Sequence, residues 1–314
     1  MYACVHPSTH AAFIPLYGLD RASDTALAAG IGVSSPPPDR PLAGRGVGHR
    51  CAAPCRAAAV MIAVALVLLL LVDSLAAEVV PARVVAVEDG ATLGLEQPVR
   101  GAHVLRLAGI DVPGLGVPEA VDPLAVAARA ALAELAVGYR VDVFLGERSR
   151  DRYGRLVGHA IRQDGLWLQG AMLDRGLARV RTLHDQTERA AEMLALETVA
   201  RAAGRGLWTH PTYAVRTAET VHRHLNSFQV VEGRVRRAAA ARGRVFLNYG
   251  ADWRTDFTVA IAAPDLRRFA EAGFDPLALE GRRIRVRGWV RSWNGPLIDA
   301  THPAVIEVLD DAGR

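Results

Sequence analysis

The sequence predicts a mainly β, α+β protein: a small barrel capped by helices, then a second small β-barrel. Three observations carry that expectation. Short alternating segments recur between Gly-, Asp- and Asn-containing turns across residues 78–309, the pattern of half-buried strands. Ala/Leu-rich helical stretches interrupt them repeatedly in the first part and once in the second. The 314 residues, 51% hydrophobic and 22% charged, suffice for two modest domains and are too apolar for a chain disordered throughout.

The first segment spans residues 78–208. Val79–Val87 and Thr92–Leu95 read as strands around the turn Asp89-Gly90. His103–Gly109 alternates next, with Val104, Arg106 and Ala108 on one side and Leu105, Leu107 and Gly109 on the other. Pro123–Val137 is an Ala/Leu-rich helix stopped by Gly138, and Arg140–Leu145 is again a strand. Leu156–Gln163 and Leu166–Leu168 flank Asp164-Gly165, the strongest hairpin signal in the chain. Gly170–Arg175 is a short helix ended by Gly176, and Asp185 with Glu188 reads as a capping box opening a helix to about Ala203. Residues 209–226 read as a polar linker with breakers at its head.

Residues 227–309 are nearly all strand. Phe228–Arg236 and Arg244–Tyr249 join through Arg242-Gly243, and Phe257–Ile261 follows. After a short helix, Leu266–Ala272, come Ile284–Arg291, the turn Asn294-Gly295, Leu297–Ala300 and Val305–Leu309. Six short strands with a helix midway suit an OB-like Greek-key barrel.

Residues 57–77 contain an uncharged run, 57–72, preceded by Arg50 and Arg56 and followed by Ser74 and Ala76 at spacings that suit a signal-peptidase site. As a helix that run rises about 24 Å, short of the ~30 Å hydrocarbon core. The expectation is a cleaved signal or, uncleaved, a membrane anchor; either exports the rest, to the periplasm or beyond. Residues 1–56 are Gly/Pro/Ala-rich without periodicity, a low-complexity arm or a mis-assigned start. The cysteines, Cys4, Cys51 and Cys55, all precede the end of that run, so no disulfide or thiolate metal site is expected in the exported part.

Net charge is +4 and pI about 9.3, and the chain has no lysine, so all 37 basic residues are arginine. Residues 77–314 hold 32 Arg against 29 Asp and Glu, so attraction for nucleic acid must come from local clustering.

One set of motifs carries chemistry. Arg106-Leu107-Ala108-Gly109-Ile110-Asp111-Val112-Pro113 is followed by Asp151-Arg152-Tyr153-Gly154-Arg155. Upstream stands Glu88-Asp89-Gly90-Ala91-Thr92, downstream Gly176-Leu177-Ala178 and Gly204-Arg205-Gly206-Leu207-Trp208. In these blocks residues 78–208 resemble the staphylococcal nuclease (thermonuclease) family. The resemblance implies an OB-fold barrel and, in active members, Ca2+-dependent hydrolysis of DNA and RNA phosphodiesters. It implies further that Arg106 and Arg155 are the catalytic guanidiniums, that Arg152 and Tyr153 lie near the bound phosphate, and that Asp111 ligates calcium beside the Val112 carbonyl. Two guanidiniums suit the chemistry, because in-line attack piles negative charge on the equatorial phosphate oxygens. Arg106 and Asp111 could equally form an internal ion pair, and Asp151 could serve only to pin its turn.

The chain departs from the family pattern at two positions. The second calcium carboxylate falls at Ala91, and the general-base glutamate at Gly114. Neither replacement can ligate a cation or take a proton, and loss of a general base typically costs about 10²–10⁴ in rate. The expectation is therefore a nucleic-acid-binding member of a hydrolase family with weak or no calcium-dependent cleavage, in effect a pseudoenzyme with an incomplete metal site. A nuclease rearranged around Glu119 and a non-catalytic cell-envelope interaction module are the competing readings. In the second segment, Arg234, Arg236, Arg237, Arg242 and Arg244, with Arg282, Arg283, Arg285, Arg287 and Arg291, interleave with Phe246, Tyr249, Trp253, Trp289 and Trp293. That composition suits either a solvated basic face or a platform for single-stranded DNA or RNA. His222 and His224 lack a third metal ligand in sequence, and Arg201 and Arg205 suit a helix C-terminus.

Overall fold

A computed structural model describes residues 78–114, 122–252 and 254–309. The N-terminal 77 residues, Glu119 and Trp253, each the subject of an expectation above, lie outside the described residues.

The first segment folds as β1 (Glu78–Asp89), β2 (Thr92–Val99), β3 (Ala102–Leu107), β4 (Ile110–Asp111), α1 (Pro123–Ala136), β5 (Arg140–Arg150), β6 (Leu156–Arg162), α2 (Leu168–Asp174), β7 (Arg179–Val180) and α3 (Ala190–Ala202). β1, β2, β3, β6 and β5 close into a barrel in that order. β3 and β6 run parallel, with Arg106 opposite Val157, and the remaining neighbours run antiparallel. Alternation does the sorting: Val84, Leu93, Leu105, Leu107, Val141, Val143 and Leu156 are buried inside. The β1–β2 turn is tied by Asp89, whose carboxylate accepts from the Ala91 N–H at 2.7 Å and the Thr92 hydroxyl at 3.0 Å.

α1 begins on the Asp122 carboxylate, which accepts the Leu124 N–H at 2.9 Å, and places Pro123 in the first turn where its missing N–H costs nothing. Ala125, Ala128, Leu132 and Leu135 form its buried face. The chain leaves through Gly138 at φ 85°, which donates to the Val84 carbonyl. α3 begins differently from the expectation. Its preceding residue is Arg189 in left-handed backbone, with no side-chain cap, and Asp185 is held instead by Arg148 at 2.7 Å. Leu166–Leu168 likewise forms no strand: Trp167 makes a single bridge to Ile161 and Leu168 opens α2.

The second segment contains β8 (Arg216–Thr217), β9 (Ser227–Arg234), β10 (Arg237–Ala241), β11 (Arg244–Asn248), β12 (Thr258–Ile261), α4 (Ala263–Glu271), β13 (Arg283–Ser292), β14 (Pro296–Asp299) and β15 (Ile306–Leu309). Its eight strands make one sheet, ordered β10-β11-β12-β14-β13-β9-β8, with β15 added to β13. β9 and β10 are two legs of one extended stretch, broken at Val235-Arg236, and they sit toward opposite ends of that order. Val235 is fully buried, its N–H given to Arg282. The break carries the sheet around its core of Val231, Leu247, Val259, Ile284, Val286 and Ile298. The wrap is thus made by the bent chain, not by a closing ladder as a simple barrel would have it. The order of the five principal strands, with β12 and β14 parallel, repeats that of the first barrel. Residues 209–226 are no free linker: Val221 is buried in the second core and β8 pairs with β9.

The two segments belong to one compact unit. Arg287, on β13, is 1% exposed and gives two bonds to Glu197 of α3, at 2.9 and 3.0 Å, and one to Glu307 of β15 at 2.5 Å. Glu197 is itself wholly buried and also accepts from the Val180 N–H and from Arg201. Burial alone would raise the Glu197 carboxyl, but the charge and hydrogen bonds of Arg287, the Val180 N–H and the Arg201 charge together outweigh it and hold the group below its ordinary range. Nearby, the Thr182 hydroxyl meets His302 Nε2 at 2.9 Å. Among the described residues no helix is long and apolar enough to cross a membrane.

Candidate phosphate-binding site

Arg106 projects from β3 and donates from one terminal nitrogen to Asp89 Oδ1 and Thr92 Oγ1, both at 3.2 Å. Its ion-pair partner is therefore the turn aspartate, not Asp111. Burial pushes its guanidinium below the usual arginine range; Asp89 and Asp111 oppose that shift, and the like charges of Arg155 and Arg181 add to it. Arg106, Arg155, Arg181, Asp89 and Asp111 thus share one electrostatic neighbourhood.

Arg155 follows the turn after β5. Asp151 Oδ1 accepts the backbone N–H of Tyr153 at 2.9 Å and of Arg155 at 3.0 Å, and Oδ2 accepts Arg155 Nε at 2.7 Å. Against the upward push of burial, those bonds lower the Asp151 pKa. Asp151 thus pins the turn and aims the arginine. Tyr153 is 68% exposed, and the guanidinium carbons of Arg152 and Arg155 stand 5.0 and 5.2 Å from its ring centre.

Asp111 is 7% exposed and sits where β4 pairs with β7, directly opposite Arg179. Arg179 Nε donates to its Oδ2 at 2.9 Å, and Arg181 donates to its Oδ1 at 3.2 Å. Both guanidiniums are backed by aromatic rings. Arg179 lies 4.7 Å from the centre of Phe228 and 5.2 Å from that of Tyr213, and Arg181 lies 5.4 Å from Phe228. Neither arginine is singled out by the sequence motifs. The signal available was the charge alternation Arg179-Val180-Arg181, but what it pairs with lies 68 residues upstream.

This donor set does not fit calcium. Calcium takes six to eight oxygen ligands, yet both oxygens of Asp111 are already held by guanidiniums. The Ala91 methyl is fully buried. Gly114 has φ 80°, and a Cβ there would meet the Ala125 Cβ at 2.4 Å, so no glutamate can stand there without moving α1. Among the described residues no group of three or more His, Cys, Asp or Glu side chains is placed to hold a metal ion. The site carries Arg106, Arg152, Arg155, Arg179 and Arg181 against Asp89, Asp111 and Asp151, a surplus of positive charge with Arg181 and Tyr153 open to solvent.

The basic stripe of the second segment is a different matter. Arg285 pairs with Glu232 and Glu307, Arg283 with Glu232, Arg291 with Asp299, and Arg287 is buried. The β13 arginines are therefore no free cationic track, because acidic residues of β9, β14 and β15 neutralise them.

Residues 104–210 match the family model described as staphylococcal nuclease homologue, a span that includes β3, β4, the Asp151 turn and β7. The closed five-stranded barrel with its helices is consistent with that family's OB-fold. No curated protein matches the chain.

Proposed function

We propose that this staphylococcal-nuclease-like domain binds nucleic-acid phosphodiesters through arginine alone and has little or no calcium-dependent cleavage. The observation that carries the reading is the state of Asp111: two guanidiniums occupy the carboxylate through which a divalent cation would be held. Arg106 and Arg155 supply forked donors for the non-bridging phosphate oxygens, each aimed by its own aspartate. Arg181, with its side chain 41% exposed, adds a further donor to the same neighbourhood. Tyr153 and Arg152 supply a ring and a charge at the open edge. Such a set stabilises a bound polyanion in its ground state and, among the described residues, lacks a group to activate water, so binding without turnover follows.

The test is retention of single-stranded DNA over a salt series, with a zymogram run in calcium and in chelator. Counterion release predicts a steep fall in affinity between about 50 and 200 mM salt, on the order of 10³–10⁵ for ~6–10 phosphate contacts. Flat salt dependence would favour an envelope interaction module. Cleavage abolished by Glu119→Gln would favour a rearranged nuclease. Export of the domain, periplasmic or secreted, is proposed on the composition of residues 57–77.

A further inference from the structure

The outward face of the second sheet changes character across its width. On β13 it is closed off by the Arg287 cluster. On β10, β11 and β12 it carries a row set by strand register: Ala239, Phe246 and Ala260 lie side by side, with Asp299 of β14 next. Phe246, itself half-buried, therefore has only methyl-sized neighbours on either hand.

Trp293 leans over this row from the β13–β14 turn. Its ring centre is 6.1 Å from that of Phe246, with the planes 33° apart, and the residue is 42% exposed. Arg244 and Arg291 stand 5.8 and 5.5 Å from the Trp293 ring centre. Arg291 is fixed in place by two bonds to Asp299, at 2.5 and 2.9 Å. The turn itself is rigidly held. Asn294 and Gly295 both have positive φ, Trp293 N–H donates to the Gly295 carbonyl at 2.8 Å, and a Cβ on Gly295 would meet the Thr255 carbonyl at 2.6 Å. The tryptophan is thus presented by the backbone without filling a core.

The charge on this face is one-sided. Arg237, Arg242 and Arg244 are exposed on the β10–β11 hairpin, and none of them is in an ion pair among the described residues. Asp299, the carboxylate in the row, is already matched by Arg291. An exposed indole beside a half-buried ring and unpaired guanidiniums suits a ligand that offers flat bases and phosphates together. A neutral sugar would use the rings and leave the arginines idle, and a duplex keeps its bases stacked away.

We propose that Arg244, Phe246, Arg291 and Trp293 form a binding site for single-stranded nucleic acid, in which a base stacks on Trp293 and Phe246 while the adjoining phosphates meet the β10–β11 arginines. This site is separate from the arginine cluster of the first barrel and stands or falls independently of it. The experiment is fluorescence anisotropy of a labelled oligothymidylate titrated with the full chain. Trp293→Ala should weaken binding on the order of ten- to a hundredfold, the usual worth of one base–aromatic stack, and Trp293→Phe should restore most of it. The same loss should appear in an Arg106→Ala/Arg155→Ala background, which separates this site from the first. Unchanged affinity in Trp293→Ala, equal affinity for duplex DNA, or full competition by a neutral oligosaccharide would each overturn the proposal.

Discussion

Each barrel of this protein takes a charged residue out of water, and the two do so with opposite sign and opposite consequence. In the first, a carboxylate, Asp111, lies under Arg179 and Arg181, with Arg106 and Arg155 close by and the surplus facing solvent. Around the second sheet, a guanidinium, Arg287, lies under Glu197 and Glu307, and the neighbouring arginines are matched by Glu232. The bonds are of one kind, charge-assisted and partly or wholly buried. What differs is the residual charge and the access to it. Where acid and base balance in a sealed space, the cluster holds two folded units together. Where arginine exceeds acid at an open edge, the same chemistry leaves positive charge facing solvent.

The largest effect expected from this contrast is on stability. Arg287→Met leaves buried Glu197 to Arg201 and the Val180 N–H, and Glu307 to Arg285, and removing one partner of a buried pair costs about 3–5 kcal/mol. Urea unfolding should reveal the loss, and adding Glu197→Gln should recover part of it, because a buried charge short of its main partner goes with it. An unchanged midpoint in Arg287→Met would mean that the barrels are not held together by this cluster.

Acid should loosen the fold as well. Burial pushes His302, beside Thr182, and His159, beside Trp167, down to about 4 from an ordinary 6.5, with repulsion from His184 and Arg189 respectively adding to it. The fold therefore favours the neutral rings, and as pH falls below about 6.5 the unfolded chain takes up protons first. Stability present above pH 6.5 should drain between there and about pH 4, by up to ~1.4 kcal/mol per pH unit for each histidine, and then level. His302→Gln should flatten part of that slope in a pH series of urea midpoints.

On the open side, Arg155→Ala should weaken single-stranded DNA binding by about tenfold, the worth of a charge-assisted bond, and reduce the salt slope by ~0.7 for one lost contact. The smallest effect is a null one. Ala91→Asp restores a family carboxylate but leaves Asp111 in the hands of Arg179 and Arg181, so calcium titration of that variant should raise neither affinity nor cleavage.

Much of this architecture was legible in the sequence, for reasons that are local. Alternation and the Asp89-Gly90 turn delineate the first barrel, which brings the Arg106 and Arg155 blocks into one electrostatic neighbourhood. β10 was not legible because Arg237–Ala241 is a run of alanines without a polar face. The capping box at Asp185 failed because Arg148, 37 residues upstream, claims that carboxylate, a contact that only tertiary structure creates. The partners of Asp111 were missed on the same ground: β4 and β7 are two-residue strands with no periodicity to read, and their pairing brings Arg179 across. The β13 arginines misled in the converse way, since a basic stripe in sequence looks the same whether solvent or Glu232 stands opposite.

Phosphate binding in the first barrel either requires a cation at Asp111 or does without one. Titrating the purified chain with Ca2+ while following single-stranded DNA binding and cleavage tests it most directly. The arginine-only site predicts the same affinity in calcium and in chelator, with the DNA intact in both; binding that requires calcium, or digestion that chelator stops, would contradict it.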